Sequence, residues 1–126
     1  MIYYAHSMRI YGTKQEEREL KYLRKVFKNV VDPKKIKPGE GDNYMKPYLD
    51  KVKKCDMVVV TRLHNGCIGK GAYEEITVAM SNRIPVVLFD IDEVPPVFMQ
   101  VESVKLASNH KKDWVNYAFI EKWNIA

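Results

Sequence analysis

Residues 57–79 constrain the fold more than any other part of the chain. They begin with the apolar run 57–61, continue through a segment with glycines at 66, 69 and 71, and pass into residues with helical spacing. A buried strand, a glycine-rich turn and a helix form the repeating unit of open α/β sheets. Free backbone N–H groups at the helix N-terminus bind anions there. The stretch therefore predicts a βα unit with a candidate anion-binding turn.

Similar patterns before and after this stretch predict a sheet of alternating strands and helices. The predicted strands are 2–5, 30–31, 57–61, 84–89 and 101–107. The predicted helices are 14–28, a second one capped by Asn43, a third beginning near Gly71, and 111–123. Alternation of this kind predicts a parallel sheet with right-handed crossovers and helices on both faces. The length predicts one domain over residues 1–126.

Composition limits the class of protein. With 46% hydrophobic and 29% charged residues, the 126-residue chain is typical of soluble globular proteins. No apolar run approaches the roughly 20 residues that span a bilayer, and the N-terminus lacks signal-peptide features, which predicts a cytoplasmic protein without a membrane partner. The two cysteines show no metal-ligand or disulfide spacing. The formal charge of +5 is spread over many lysines, so nucleic acid is a disfavoured partner.

Two adjacent glutamates, Glu74 and Glu75, lie at the start of the third predicted helix. Ala72, Ile76, Ala79 and Met80 define the buried face of that helix. Glu75 falls about 80° from its centre and Glu74 about 180° away. Glu74 is therefore predicted to be solvated, and Glu75 to border the core with a raised pKa, as a nucleophile or general acid requires. The alternative is that both only complement the helix dipole.

Other candidates lie in the loops that follow the strands. The carboxyl ends of parallel strands meet at one edge of a sheet, so the loops 6–12, 62–71 and 90–96 are expected to converge there. Tyr3 and Tyr4 face opposite sides of the first strand, so one of them is expected to reach this edge. His6 is a candidate acid or base with a structural alternative. Asp56 either faces the cleft or ends the second helix.

A phosphate or carboxylate ligand is indicated by two basic residues. Ser7 and Arg9 place a hydroxyl and a guanidinium in one loop. Lys70 stands at a helix start, where a cation is unfavourable unless an anion binds nearby. The glycine spacing matches neither the dinucleotide fingerprint nor the P-loop. A phosphatase nucleophile at Cys67 would need an arginine where Tyr73 stands.

No metal site and no cofactor are predicted. The acidic residues Asp90, Asp92 and Glu93 lie in one loop, but their spacing does not match a calcium-binding loop.

The chain resembles the nucleoside 2-deoxyribosyltransferase superfamily, including its nucleoside-monophosphate N-glycosidase branch. The likeness rests on Ile2-Tyr3, on residues 55–60, and on residues 71–76 with Ala79. It implies a flavodoxin-like three-layer sandwich with a five-stranded parallel sheet, and cleavage of the N-glycosidic bond of a nucleotide or nucleoside. By the resemblance, the catalytic residues are Glu75 as nucleophile, Tyr3 holding its carboxylate, and Asp56 contacting the base.

The departures from the family pattern favour a 5′-phosphorylated substrate. Gly69 stands where classical transferases carry an aspartate that contacts the sugar 5′-hydroxyl, and Thr77 replaces a glycine. The loop 5–9 is similar to the monophosphate version, whose Ser-x-Arg segment binds phosphate. The substrate-binding residues are therefore predicted to be His6, Ser7, Arg9, Gly69, Lys70 and Gly71. The resemblance implies a homodimer or higher oligomer. The alternatives are a non-catalytic nucleotide-sensing or sequestering domain and a basic nucleic-acid module.

Overall fold

A computed structural model describes residues 1–63, 66–93, 96–106 and 117–125. The helices there are α1 (Lys14–Val26), α2 (Lys46–Val52) and α3 (Lys70–Ser81). The strands are β1 (Ile2–Ala5), β2 (Val30–Val31), β3 (Met57–Val60), β4 (Cys67–Gly69), β5 (Val86–Asp90), β6 (Val97–Leu106) and β7 (Tyr117–Ile125). Within these ranges, no helix is both long and apolar enough to cross a membrane.

The strands form one mixed sheet in the order β2-β1-β3-β5-β6-β7-β4. The first four are parallel, as predicted, with Tyr3 opposite Val31 on one side and Val58 on the other. The fifth predicted strand is observed as β6, but it runs antiparallel to β5. Residues 91–96 between them are too few for a parallel crossover, which needs about a dozen or more residues. The prediction of five parallel strands is corrected accordingly.

The predicted helix 111–123 is wrong over residues 117–123, which belong to β7, and residues 111–116 lie outside the described residues. The apolar residues of this segment have helical spacing, but most of them are aromatic or β-branched and favour strands. Strand pairing favours the strand over the helix, because β7 is hydrogen-bonded to β6 on one side and to β4 on the other.

Helices cover both faces of the sheet. On one face, Leu20 and Leu23 of α1 belong to a core cluster with Tyr4 of β1 and with β3 and β5 residues. On the other, α2 and α3 belong to a second cluster with Tyr3 of β1. Because side chains alternate along a strand, the neighbouring tyrosines of β1 enter different cores.

Local signals account for the helix starts in part. Thr13 caps α1, with its Oγ1 accepting the Glu16 N–H at 3.3 Å. Asn43 does not cap α2, because it closes a 3-10 turn over Gly41–Asn43, and α2 begins at Lys46. The predicted glycine-rich turn contains the short strand β4, and α3 begins at Lys70 directly after it.

Candidate active site

A cleft of about 440 Å³ opens beside the carboxyl end of β1. Three segments line it: the loop 6–11 after β1, residues Tyr44, Met45 and Tyr48 at the start of α2, and the first turns of α3. Its volume lies within the range of small-molecule sites, about 300–1,000 Å³. The cleft is therefore large enough for a small ligand.

Gly69 and Gly71 bring the start of α3 next to the two other segments. A Cβ at Gly69 would lie 3.4 Å from Ser7 Oγ, and one at Gly71 would lie 3.6 Å from Met45 Cε, which are ordinary van der Waals distances. The start of α3 is thus in reach of both the β1 loop and the residue that precedes α2.

Glu75 lies at the base of the cleft and is 4% exposed. The Tyr3 hydroxyl donates a hydrogen bond to Glu75 Oε2. Burial raises the pKa of Glu75 to about 8; the hydrogen bond from Tyr3 opposes this shift and the charge of Glu74 adds to it. Burial, and then the Glu75 carboxylate, raise the pKa of Tyr3 above its ordinary range. The pair is thus an oriented carboxyl group that exchanges its proton near neutral pH.

Glu74 also lines the cleft and is half-buried, so the prediction of a solvated side chain is wrong. α2 packs against α3, and such a tertiary contact is not part of a helical-wheel prediction. Glu75 remains the buried member of the pair, as predicted.

A group of tyrosines lines the cleft, and the sequence analysis did not identify it. It comprises Tyr11, Tyr44 and Tyr48. The rings of Tyr44 and Tyr48 stack with centroids 6.0 Å apart. Burial, and then the charge of Glu75, raise the pKa of Tyr11. The signal available in the sequence was the four-residue spacing of Tyr44 and Tyr48, which would put both rings on one side of a helix starting after Asn43; in the structure Tyr44 precedes α2.

The predicted anion-binding residues come together at the cleft. Ser7, Arg9, Gly69, Lys70 and Gly71 all line it. Ser7 Oγ accepts the Arg9 backbone N–H at 3.2 Å. Gly69 precedes α3 and makes no side-chain cap hydrogen bond, so among the described residues this position does not cap the first N–H groups of the helix. A positive helix end with Arg9 and Lys70 in the same cleft favours an anionic group.

His6 lines the same cleft, but its ring nitrogens have protein partners. Nε2 lies 2.7 Å from Glu16 Oε2, and Nδ1–H donates to the Tyr4 carbonyl oxygen at 3.0 Å. Neither nitrogen is left for a substrate, so the ring has a structural position in this arrangement.

The structure does not bring Asp56 to the cleft. This residue precedes β3, at the amino edge of the parallel strands, whereas the cleft lies at their carboxyl edge. Its side chain is 86% exposed, and Oδ2 forms an ion pair with the Met1 amine at 2.7 Å. The assignment of Asp56 as a base-contacting residue is therefore corrected.

The expected convergence of three loops is also observed only in part. Asp90 and Asp92 line a separate groove with α1 residues such as Arg18, on the other side of the sheet edge. Cys67 is buried in β4, and burial raises the pKa of its thiol, which makes it a poor nucleophile.

Comparison of the chain with protein-family models, with curated proteins and with solved structures found no significant match in any of the three. The cleft combines a buried carboxyl group held by a phenol, a cationic helix start and an aromatic wall.

Proposed function

We propose that the protein cleaves the N-glycosidic bond of a nucleotide or nucleoside through Glu75, with a 5′-phosphorylated substrate favoured. The observation that carries the proposal is the hydrogen bond from Tyr3 to the buried Glu75 carboxylate, beside the open N-terminus of α3. Membership of the nucleoside 2-deoxyribosyltransferase superfamily and a cytoplasmic location belong to the same proposal. The strand order β2-β1-β3-β5 supports it, because it matches the first four strands of the flavodoxin order.

The proposed reaction has two displacements. The Glu75 carboxylate attacks C1′ of the sugar, the C1′–N bond breaks, and the base leaves with the bonding electron pair. The glycosyl ester then reacts with water in hydrolysis, or with a second base in transfer, and the carboxylate is released. The Tyr3 hydroxyl fixes the attacking carboxylate. The leaving base needs a proton, and Glu74, Tyr11 and Tyr48 are titratable groups that line the cleft with Glu75.

The cleft provides a complementary surface for each part of such a substrate. A planar base stacks favourably on tyrosine rings such as Tyr44 and Tyr48. A 5′-phosphate is stabilised at the start of α3 by backbone N–H groups, Ser7 and the cations Arg9 and Lys70. Glu75 lines the same cleft, so the sugar C1′ of a substrate bound in this way would come within its reach.

The direct test is release of free base from a panel of nucleosides and 5′-nucleotides, followed by chromatography. We expect release by the wild type and none by Glu75→Ala. Asp56→Asn is the matched control, because this exposed carboxylate lies outside the cleft. The proposal is wrong if no member of the panel yields base or exchanges its base, and Glu75→Ala behaves as the wild type.

Phosphate recognition has its own experiment. Arg9→Ala and Lys70→Ala are each expected to weaken binding of a 5′-monophosphate by about 10- to 150-fold, since a charge-assisted hydrogen bond is worth roughly 1.5–3 kcal/mol. Binding of the corresponding nucleoside should not change. Lys53→Ala, which removes an exposed lysine outside the cleft, is the control. Unchanged monophosphate affinity in both cleft variants would refute the phosphate assignment.

A second candidate is a non-catalytic domain that senses or sequesters a nucleotide. The raised pKa of Glu75, about 8, favours it, because a protonated carboxyl binds a ligand without attacking it. Calorimetry with quantitative recovery of intact ligand would identify this function. The resemblance also implies a homodimer or higher oligomer, which sedimentation velocity tests separately.

A further inference from the structure

A second cluster of titratable side chains lies on the α1 side of β1, apart from Glu75. It consists of His6 after β1, Glu16 in the first turns of α1, and Asp32 after β2. These side chains are buried, with 4%, 2% and 5% of their surface exposed. One potential ligand atom from each lies within 4.8 Å of the others. Three distant segments of the chain thus bring one imidazole and two carboxylates together.

In each of the three side chains, one polar atom is held by a hydrogen bond to the surrounding protein, and a second polar atom lies towards the other two side chains. His6 donates its Nδ1–H to the Tyr4 carbonyl oxygen at 3.0 Å, and its ring stacks on Tyr4 with centroids 3.8 Å apart. Its Nε2 is left on the side of Glu16. Metal-bound histidines are oriented in this way, by donating the other ring N–H to a carbonyl or carboxylate.

The two carboxylates are oriented similarly. Glu16 Oε1 accepts from the Gly12 N–H at 2.9 Å and from Lys34 Nζ at 2.8 Å, while Oε2 faces His6. Asp32 Oδ1 accepts the Lys34 N–H at 3.0 Å. Its Oδ2 is buried, and in the part of the chain that the structure describes it has no hydrogen-bond partner. A buried carboxylate oxygen without a donor is unfavourable, because the group has lost its water and gained no hydrogen bond in exchange.

We propose that His6, Glu16 and Asp32 bind a divalent transition-metal ion of the Zn²⁺ or Mn²⁺ class, through Nε2 and one oxygen of each carboxylate. One imidazole nitrogen and two carboxylate oxygens form a donor set that suits these ions. The ion supplies the Asp32 oxygen with its missing partner and balances the two carboxylate charges. On binding, the ligand atoms draw in to distances of about 2.0–2.2 Å from the ion.

The site would link β1, α1 and the segment after β2, directly before the loop that carries Ser7 and Arg9. Its role is therefore to fix that loop, and it is independent of the chemistry proposed for Glu75. The competing explanation is a metal-free ion pair between a protonated His6 and Glu16 at 2.7 Å.

The test is a Zn²⁺ titration of protein dialysed against chelator, by calorimetry and by thermal unfolding. We expect saturating Zn²⁺ to raise the wild-type Tm by about 5–10 °C at a hundredfold excess over Kd. Asp32→Asn should lower Zn²⁺ affinity at least about tenfold, while its amide oxygen still accepts the Lys34 N–H. Glu17→Gln, at an exposed neighbour of Glu16, should bind as the wild type does.

Lys34→Met provides a second test of metal binding, which also applies if Asp32→Asn does not fold. The Lys34 ammonium bonds to Glu16 and opposes a cation there, so its removal should raise Zn²⁺ affinity several-fold. Lys21→Met, at an exposed lysine of α1, is the control. The proposal is overturned if the wild type binds no Zn²⁺, if Asp32→Asn and the wild type bind equally, or if Lys34→Met does not bind more tightly.

Discussion

Tyr3 and Tyr4 are neighbours in β1, and each donates its hydroxyl to a buried glutamate on a different face of the sheet. Tyr3 bonds to Glu75 on the α3 side, and Tyr4 bonds to Glu19 on the α1 side. Burial raises the pKa of both carboxyl groups. By burial, partner and direction of pKa shift the two pairs are alike.

The pairs differ in what else the carboxylate contacts. Glu19 also accepts hydrogen bonds from Thr61 Oγ1 at 3.1 Å and from Gln15 Nε2 at 3.2 Å, and these bonds counter the effect of burial on its pKa. Within the described residues, Tyr3 is the hydrogen-bond donor to Glu75, whose other oxygen is left for a ligand in the cleft. A saturated carboxylate stabilises a fold, whereas an oriented but unsaturated one is available for chemistry.

The largest expected difference between the pairs is in catalysis. Glu75→Gln should lower the rate of base release about 10³-fold or more, because an amide is not a nucleophile. Glu19→Gln should leave the rate per folded molecule unchanged, although it lowers stability. Rates are measured by chromatography and normalised to folded protein by circular dichroism. Equal losses in both variants would remove the functional distinction.

The pH dependence of stability gives the next largest effect. Burial raises the pKa of Glu75 from 4.5 to about 8, so between these values the folded state binds more protons than the unfolded state. Protonation of Glu75 therefore contributes to the free energy of unfolding. This contribution is complete below pH 4.5 and is lost as the pH rises to about 8, at up to about 1.4 kcal/mol per pH unit. Glu75→Gln should flatten this fall. Urea unfolding at several pH values measures the free energy of unfolding of the wild type and of Glu75→Gln. The prediction is contradicted if this free energy depends on pH in the same way in both proteins.

Removing the hydroxyl of Tyr3 or of Tyr4 distinguishes a hydrogen bond that orients a catalytic carboxylate from one that only stabilises the fold. Tyr3→Phe deletes the hydrogen bond that favours the Glu75 carboxylate, so the rate at pH 7 should fall about 10–100-fold, corresponding to roughly 1.5–3 kcal/mol. The acid limb of its pH–rate profile should move upward. Tyr4→Phe should instead lower the free energy of unfolding by about 1–3 kcal/mol without changing the rate. A rate loss in Tyr4→Phe alone would reverse the assignment.

The smallest expected effect concerns the additional donors to Glu19. Thr61→Val keeps the shape of the buried side chain and removes one hydrogen bond, which should lower stability by about 1 kcal/mol. Thr77→Val is the matched control, because its hydroxyl bonds to the Tyr73 carbonyl on an exposed side of α3. Chemical denaturation should give a loss for Thr61→Val clearly above that of the control. Equal losses of unfolding free energy in the two variants would show that the additional hydrogen bond from Thr61 to Glu19 does not stabilise the fold.

Local patterns predicted much of the fold and the central residue of the site. The strands β1, β2 and β3 and the helix α1 followed from apolar runs and a capping residue close in sequence. The helical period predicted that Glu75 borders the core, and the structure confirms that Glu75 is buried. The contact with Tyr3 follows once β1 and α3 lie side by side.

The remaining features depend on tertiary structure. The direction of β6 and the strand β7 are set by pairing between distant segments, which propensity does not encode. The family resemblance assigned Asp56 to the base, but Asp56 directly precedes β3 and therefore lies at the amino edge of the parallel strands. The cluster of His6, Glu16 and Asp32 has no sequence motif, since its members come from three elements.

The pairing of β4 with β7 has a consequence for how the protein is made. β4 leads directly into α3 and, at the edge of the sheet, pairs with β7. During synthesis, β7 emerges from the ribosome roughly 50 residues after β4, a delay of about 3–10 s at about 5–20 residues per second. We therefore expect Glu75 to leave the ribosome early, while the segment that positions its helix settles only when residues 117–125 have been added.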